Sequence, residues 1–336
     1  MLLRKLRLAI LILTFLSIPV FCSVLIPSDE FFMAGILTLC IPGFFIFLVA
    51  SLIYFIGCRS YWAILPAAIL VASLPLTSSS FSFIKSDQNI KAPLHLVTHN
   101  MNALKYFIKP ADFNSNQKTF QEWAAKNDFD ILCLQEMIEV KRVPFLIPGY
   151  TKLSSVKDTK AGDNLGLFIF TRYPVVREGK MEFAFNSYNR LMWADVVVGS
   201  DTLRVINVHL SSYDFHPMSI RWNLARLRGG LRARSWHAKL IERFIRESRH
   251  PVILCGDFNE TPLSYPYRKM NSILYDTYQG SGKGFQYSFV FAGLPVRIDH
   301  IFISPSLQSK DYQISSEPPW SDHSPVSTRI GLRAQD

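Results

Sequence analysis

Three long stretches without a charge constrain this chain more than any other feature. They lie between Arg7 and Asp29, between Glu30 and Arg59, and between Arg59 and Lys85. Crossing a bilayer as a helix takes roughly 20 mainly apolar residues. The pattern therefore predicts three transmembrane helices, at 8–27, 32–57 and 61–78. The third is interrupted by Pro66 and Pro75 and closed by the polar run Thr77–Ser80. The opening "MLLRKLR" before an apolar run also fits a secretory signal. No small-x-small cleavage pattern follows it, and two further apolar runs do, which favours an anchor. Arg4, Lys5 and Arg7 precede the first run, "PSDE" follows it, and Arg59 follows the second. Basic residues mark cytoplasmic loops. The expected arrangement is multi-pass, with everything after residue 80 extracytoplasmic. If the third run only re-enters the membrane, the large domain faces the cytoplasm instead.

Residues 81–92 read as a linker, and 93–336 as one domain. In that domain apolar strand patterns dominate: "LHLVTHN", "FDILCLQE", "NLGLFIFT", "PVILCGDFN", "VRIDHIFIS". "LMWADVVVGSDTLRVINVHLSS" is two strands around a Gly-Ser-Asp turn. "FNSNQKTFQEWAAKND" has a helical period. Strands apolar on both faces need cover on both sides, and hairpins exclude a doubly wound sheet. The expected fold class is α/β: two packed mixed sheets with outer helices, a four-layer sandwich. The five cysteines, with no paired spacing, read as free thiols. The net charge of +10 suits a polyanionic or anionic-lipid surface.

Polar groups recur at the ends of the oily strands: Asn100, Glu136, His209, the pair Asp257 and Asn259, and the pair Asp322 and His323. An ionised side chain there is costly unless it is paired or binds metal. Asp257 alone is more economically a turn former; five occurrences on separate strands shift the reading to a shared site. Glu136, Asp322 and the amide oxygen of Asn100 are hard donors that suit Mg²⁺, or Mn²⁺, over zinc. The sequence has neither HExxH nor CxxC. Histidines and an Asp/Asn pair beside such a metal fit in-line attack of water on a phosphoester. The Asp-x-Asn spacing places both side chains on one side of an extended chain.

"LQE", "NVHLSS", "GDFNETP", "RIDHIF" and "SDHSPV", in that order, resemble the endonuclease/exonuclease/phosphatase superfamily. This group includes apurinic endonucleases, DNase I, inositol-polyphosphate 5-phosphatases and neutral sphingomyelinases. The resemblance spans about 93–334 and implies a DNase I-like fold, here in a membrane-anchored bacterial member at the inner or plasma membrane. It implies that Asn100, Glu136 and Asp322 form the metal site. It also implies that Asp257 deprotonates the attacking water while Asn259 steadies it. His209 would donate to the phosphate or leaving group. His323 would bind a phosphate oxygen, held by Asp299, and Arg190 would contact phosphate. The motif departs from its relatives at His300, where tyrosine is commoner; His300 is read as packing away from Asp299. His95 is read as structural, and His99 as standing behind the site.

The stretch 213–234 is rich in arginine with interleaved Trp222, Leu224 and Leu231, and Gly229-Gly230 is expected to break it in two. It is read as lying on anionic lipid, and 235–248 as an outer helix on the sheet. The function expected is a membrane-anchored, metal-dependent phosphoesterase acting on nucleic acid, a phospholipid or a small molecule, with no protein partner. The alternative is a catalytically silent scaffold that keeps the fold; the complete polar set argues against it.

Overall fold

The computed structural model describes residues 2–82, 90, 93–104, 113–138, 145–156, 165–183, 189–212, 220–317 and 320–332. Most of the expected 81–92 linker and residues 213–219 of the basic stretch lie outside the described residues. The chain divides into two compact units.

The first unit comprises residues 1–80 with 213–236 and 262–268. Its helices are α1 (Leu2–Cys22), α2 (Phe32–Leu39), α3 (Ile41–Gly57), α4 (Ile64–Ala72) and α5 (Leu74–Thr77). Val20, Phe21, Val24, Ile41, Leu48 and Leu76 form a small shared core. Many other large apolar residues face outward, including Leu8, Phe15, Ile46, Ile53 and Ile64. The three-span expectation is corrected here. Among the described residues, one single helix, Leu3–Leu25, is long and apolar enough to cross a membrane; it could be an anchor or a signal sequence. The 32–57 region is two helices meeting at 51°, a pair that together passes the same test as a broken span or a re-entrant loop, with a break at Cys40 where Pro42 opens α3. The third run forms an apolar helical segment of Tyr61–Ala72 followed by the short α5, and the apolar segment falls short of the roughly 20 residues required. An extracytoplasmic placement that rested on three spans therefore loses its support.

The basic stretch also differs from expectation. Its described part is one continuous helix, α7 (Ile220–Arg246), and Gly229-Gly230 does not break it. Glycine inside a helix costs only about 1 kcal/mol against alanine, and packing offsets that. Leu231 closes on Gly35, the Arg228 guanidinium lies 4.8 Å from the Phe32 ring centre, and Ser28 N donates to Ser235 Oγ at 3.0 Å. The segment up to Trp236 therefore belongs with the N-terminal helices, not with the sheets.

The second unit comprises 81–212, 237–261 and 269–336. The strands of its first sheet are β1 (Leu94–Asn100), β2 (Ile131–Ile138), β3 (Thr151–Ser154) and β4 (Leu165–Thr171), with β13 (Leu307–Ile314) and β14 (Val326–Leu332) from the C-terminal part. The second sheet holds β5 (Val175–Glu182), β6 (Arg190–Val198), β7 (Asp201–His209), β8 (Val252–Asp257), β9 (Tyr275–Asp276) and β12 (Asp299–Ile303). A separate hairpin joins β10 (Phe289–Phe291) and β11 (Leu294–Val296). The orders are β13-β14-β1-β2-β4-β3 and β5-β6-β7-β8-β12-β9. Each sheet has one parallel pair at its centre, β1 with β2 and β7 with β8, and is otherwise antiparallel. The α/β sandwich is thus as expected. Leu96, Ile131, Cys133 and Ile169 of one sheet pack on Ala194, Val205, Ile253, Cys255 and Ile301 of the other. Helix α6 (Phe113–Asn127) covers the first sheet, with Phe120 and Trp123 buried against Phe129, Phe145 and Phe170.

Parallel pairs bring strand C-termini to the same edge. Asn100 and Glu136 thus end up together, as do His209 and Asp257. Close approach of β7 and β8 depends on Gly256, whose φ is +136°. A Cβ built there would sit 2.1 Å from the carbonyl oxygen of Val208. Gly256→Ala is expected to destabilise the fold by about 3 kcal/mol or more, since strain and overpacking act together. Thermal unfolding should show this as a midpoint lowered by roughly 6–12 °C.

Candidate active site

Four candidate residues fall on one line across the second sheet. Arg190 pairs with His209, His209 with Asp257, and Asp257 with Asp299, on successive strands β6, β7, β8 and β12. Asn100 and Glu136 reach the same place from the first sheet. Glu136 sits where the β2–β4 register shifts, with φ at +47°; such a bulge re-aims a side chain out of the pleat.

The Asp257 carboxylate is the centre. Its Oδ1 accepts the backbone N–H of Asn259 at 2.8 Å. Its Oδ2 accepts the amide N–H groups of Asn100 at 2.8 Å and Asn259 at 3.2 Å. Two imidazole nitrogens face the same oxygen, His209 Nε2 at 3.8 Å and His323 Nε2 at 3.9 Å. Asp257 and Asn259 are adjacent for a reason other than the pleat. The strand ends at Asp257, and Asn259 takes φ +51°, so an Asx-type turn folds the amide back over the carboxylate. Phe258 points away and is fully buried between His300 and Phe302.

Burial raises the Asp257 carboxyl to about 6, helped by the charge of Asp299 and opposed by the nearby histidines. His323 moves the other way. Burial would lower it, but Asp299 and Asp257 outweigh burial and hold it up at about 10. Its Nδ1–H donates to Asp299 Oδ2 at 2.9 Å. The site thus pairs a carboxylate that titrates near neutrality with an imidazolium protonated throughout the physiological range.

Three expected residues are placed differently from the rest. Asp322 is exposed and stands outside the cluster; neighbours on an extended chain point to opposite sides, and His323 takes the inward one. Asn100 joins through its amide nitrogen, because its Oδ1 accepts the N–H of Asn102 at 2.9 Å. Its expected role as an oxygen ligand is therefore not what this geometry offers. Arg190 is buried at the rim, where its guanidinium donates to the Ser155 carbonyl at 3.1 Å.

Metal-ligating atoms still converge, in two groups sharing Asp257: Glu136, His209 and Asp257, and Asp257, Asp299 and His323. His209 Nε2 lies 3.4 Å from Glu136 Oε1. Among the described residues, His209 Nε2 and Asp299 Oδ1 are buried without a hydrogen-bond partner, so the pocket presents both donor and acceptor capacity. Carboxylate oxygens around Asp257 fit a hard divalent cation.

Sequence reasoning missed the supports. Gln135 bridges the sheets, donating to Asn207 Oδ1 at 2.6 Å and Thr98 Oγ1 at 2.9 Å, while Asn207 donates to the carbonyls of Leu134 and Phe168. Polar residues in otherwise oily strands, one before Glu136 and two before His209, were the available signal. His300 is held neutral by burial and by Arg297. Its Nε2–H donates to the Glu260 carbonyl at 2.8 Å, and its Nδ1 accepts from Arg297, which also pairs with Asp276. The reading of His300 as packing away from Asp299 was thus correct but incomplete, since it pins the backbone just after Asn259. His99, pushed down to about 4 by burial, donates to the His323 carbonyl at 3.1 Å.

Comparison with known proteins agrees with this architecture. A model of the Endonuclease/Exonuclease/phosphatase family matches residues 97–323. No curated protein sequence matches the chain. Among solved structures, an endonuclease/exonuclease/phosphatase from Bacteroides vulgatus is 22% identical, covering 72% of this chain and 100% of its own, with a TM-score of 0.55. The Bacteroides thetaiotaomicron mannosyl-6-phosphatase Bt3783 is 20% identical over 71% of this chain and 100% of its own, with a TM-score of 0.52. The D. rerio TDP2 complex with single-strand DNA product is 16% identical over 72% of this chain and 100% of its own, with a TM-score of 0.54. Identities this low speak to the fold alone.

Proposed function

The chain belongs to the Endonuclease/Exonuclease/phosphatase family, hydrolases that act on phosphoester bonds, and from that premise we propose that Asp257 activates water for in-line attack on a phosphoester. The observation that carries the reading is the gathering on Asp257 Oδ2 of two amide donors, from Asn100 and Asn259, with the His209 and His323 imidazoles facing the same oxygen at 3.8 and 3.9 Å. A general base works best with a pKa near the operating pH, and burial puts Asp257 at about 6. Asp257 takes the proton of the attacking water, and Asn259 steadies that water. His323, charged through Asp299, binds a phosphate oxygen. His209 Nε2 donates to the phosphate or to the departing oxygen, and Arg190 is assigned a phosphate contact at the rim.

Glu136 would hold Mg²⁺, or Mn²⁺, together with the Asp257 side of the cluster, and Asp322 and Asn100 would reach it only through water or rearrangement. Such an ion supplies charge neutralisation for the phosphoryl oxygens. The N-terminal apolar helix would anchor the chain in a membrane, with the basic first half of α7 against anionic lipid.

The test is hydrolysis by the full chain of bis-p-nitrophenyl phosphate, plasmid DNA, abasic DNA, RNA and phosphoinositide vesicles, each with Mg²⁺ and with EDTA. Hydrolysis of at least one with Mg²⁺, abolished by EDTA, is expected. Equal rates in EDTA would remove the metal from the account; no hydrolysis of any would remove the enzyme.

A further inference from the structure

No charged residue lies between Lys283 and Arg297. That stretch contains the hairpin of β10 and β11. Phe291 pairs with Leu294 across a two-residue turn, Ala292-Gly293, with φ of +48° and +84°, the tight primed geometry. Side chains alternate between the two faces of a ribbon. Phe291 and Leu294 share one face; Val290 and Pro295 share the other. Val290 is 50%, Phe291 43% and Leu294 66% exposed, and Phe285 and Tyr287 leading into the hairpin are exposed as well. A ribbon facing water on one side is polar there; this one is apolar on both faces. A protein surface covers one face of a ribbon, whereas hydrocarbon covers both. Nucleic acid is a poor match, because binding its backbone depends on cationic side chains.

The hairpin is fixed to the site. Ser288 Oγ accepts the backbone N–H groups of Ile298 and Asp299 at 3.1 Å each. Phe289 bridges His323, and their ring centres are 4.7 Å apart. Whatever the tip touches is therefore next to the phosphate position.

We propose that this hairpin enters a lipid surface and that the substrate is a phosphoester carried on a lipid, presented to Asp257 and His323 at the membrane boundary. The inference rests on the phosphoesterase reading and selects among its substrate classes. Three residues per strand at about 3.3 Å each give a reach of about 10 Å, close to the roughly 5–10 Å to which interfacial elements enter a bilayer. The same chain carries an apolar helix of spanning length, Leu3–Leu25, so a bilayer is a surface it can meet.

The full chain and its V290S/F291S/L294S variant would be reconstituted in phosphatidylglycerol vesicles containing a photoactivatable phospholipid, and cross-linked peptides mapped. In parallel, both proteins would be assayed on bis-p-nitrophenyl phosphate and on phosphatidylglycerol and phosphatidylinositol 4-phosphate vesicles. Cross-links within 285–296 are expected in the wild type and lost in the variant. The variant should hydrolyse the soluble ester within twofold of wild type and the lipid ester at least tenfold more slowly. A wild-type hairpin without cross-links, or equal loss on both esters, overturns the inference. A wild type that cross-links through the hairpin but hydrolyses neither ester overturns the phosphoesterase reading and leaves the lipid contact standing.

Discussion

Asp257→Asn is expected to lower kcat/KM for a soluble phosphodiester by about 10²–10⁴-fold, the contribution typical of a positioned general base. The substitution keeps the volume and the oxygen that accepts the Asn259 N–H, so the thermal unfolding transition should remain cooperative. It removes the proton acceptor. The pH profile supplies the sharper readout. In the wild type, activity should rise as pH increases through about 6, where Asp257 loses its proton. The Asn variant has nothing to titrate there, so its residual rate should be flat across that range. A variant that keeps the wild-type rate, or keeps the rise near 6, would show that another group accepts the proton.

Asp299→Asn should cost about 10²–10³-fold at pH 8, the scale of removing one electrostatic contact to the developing charge. Asp299 touches His323 through Nδ1, and its charge is the foremost influence holding His323 at about 10 against burial. Without that charge the imidazole loses its proton at far lower pH. The alkaline limb of the rate profile should therefore move to lower pH, while the deficit narrows toward pH 6. Stability carries the same sign. A His whose folded pKa is raised stabilises the fold fully below its ordinary value of 6.5 and loses that contribution as pH rises through about 10. The Asn variant should lack this alkaline loss of stability. An unchanged alkaline limb, measured on a variant that still folds, would contradict the assignment of Asp299 as the residue that keeps His323 charged.

The polar cluster proposed as the site was readable because it breaks a simple pattern. Strands buried on both faces should end in turn residues; here Asn100, His209 and Asp257 end them, Glu136 sits at a bulge near the end of β2, and all four meet at one edge. Two parallel strand pairs explain that meeting, and strand composition alone does not reveal which pairs are parallel. Motif adjacency does not reveal which of Asp322 and His323 turns inward; His323 does, held by Asp299, and Asp322 is exposed. The Gln135–Asn207 bridge stayed hidden because a buried amide is identified by its partner on another sheet. The N-terminal helices were harder. Hydropathy counts residues, but the bend at Cys40 and the end of α4 at Ala72 are set by backbone geometry that an apolar run does not encode. The same holds for Gly229-Gly230, where contacts from Leu231 and Ser235 keep a helix that composition alone would break.

The proposed hydrolysis of a phosphoester needs Asp257 and a divalent cation together. Its most direct test is the initial rate of bis-p-nitrophenyl phosphate hydrolysis by the full chain, wild type beside Asp257→Asn, after EDTA treatment and again after Mg²⁺ is restored. The expected result is no measurable rate in EDTA for either protein, recovery with Mg²⁺ for the wild type, and at most about one hundredth of that recovery for the variant. Equal recovery in both proteins, or a wild-type rate that EDTA leaves unchanged, would contradict it.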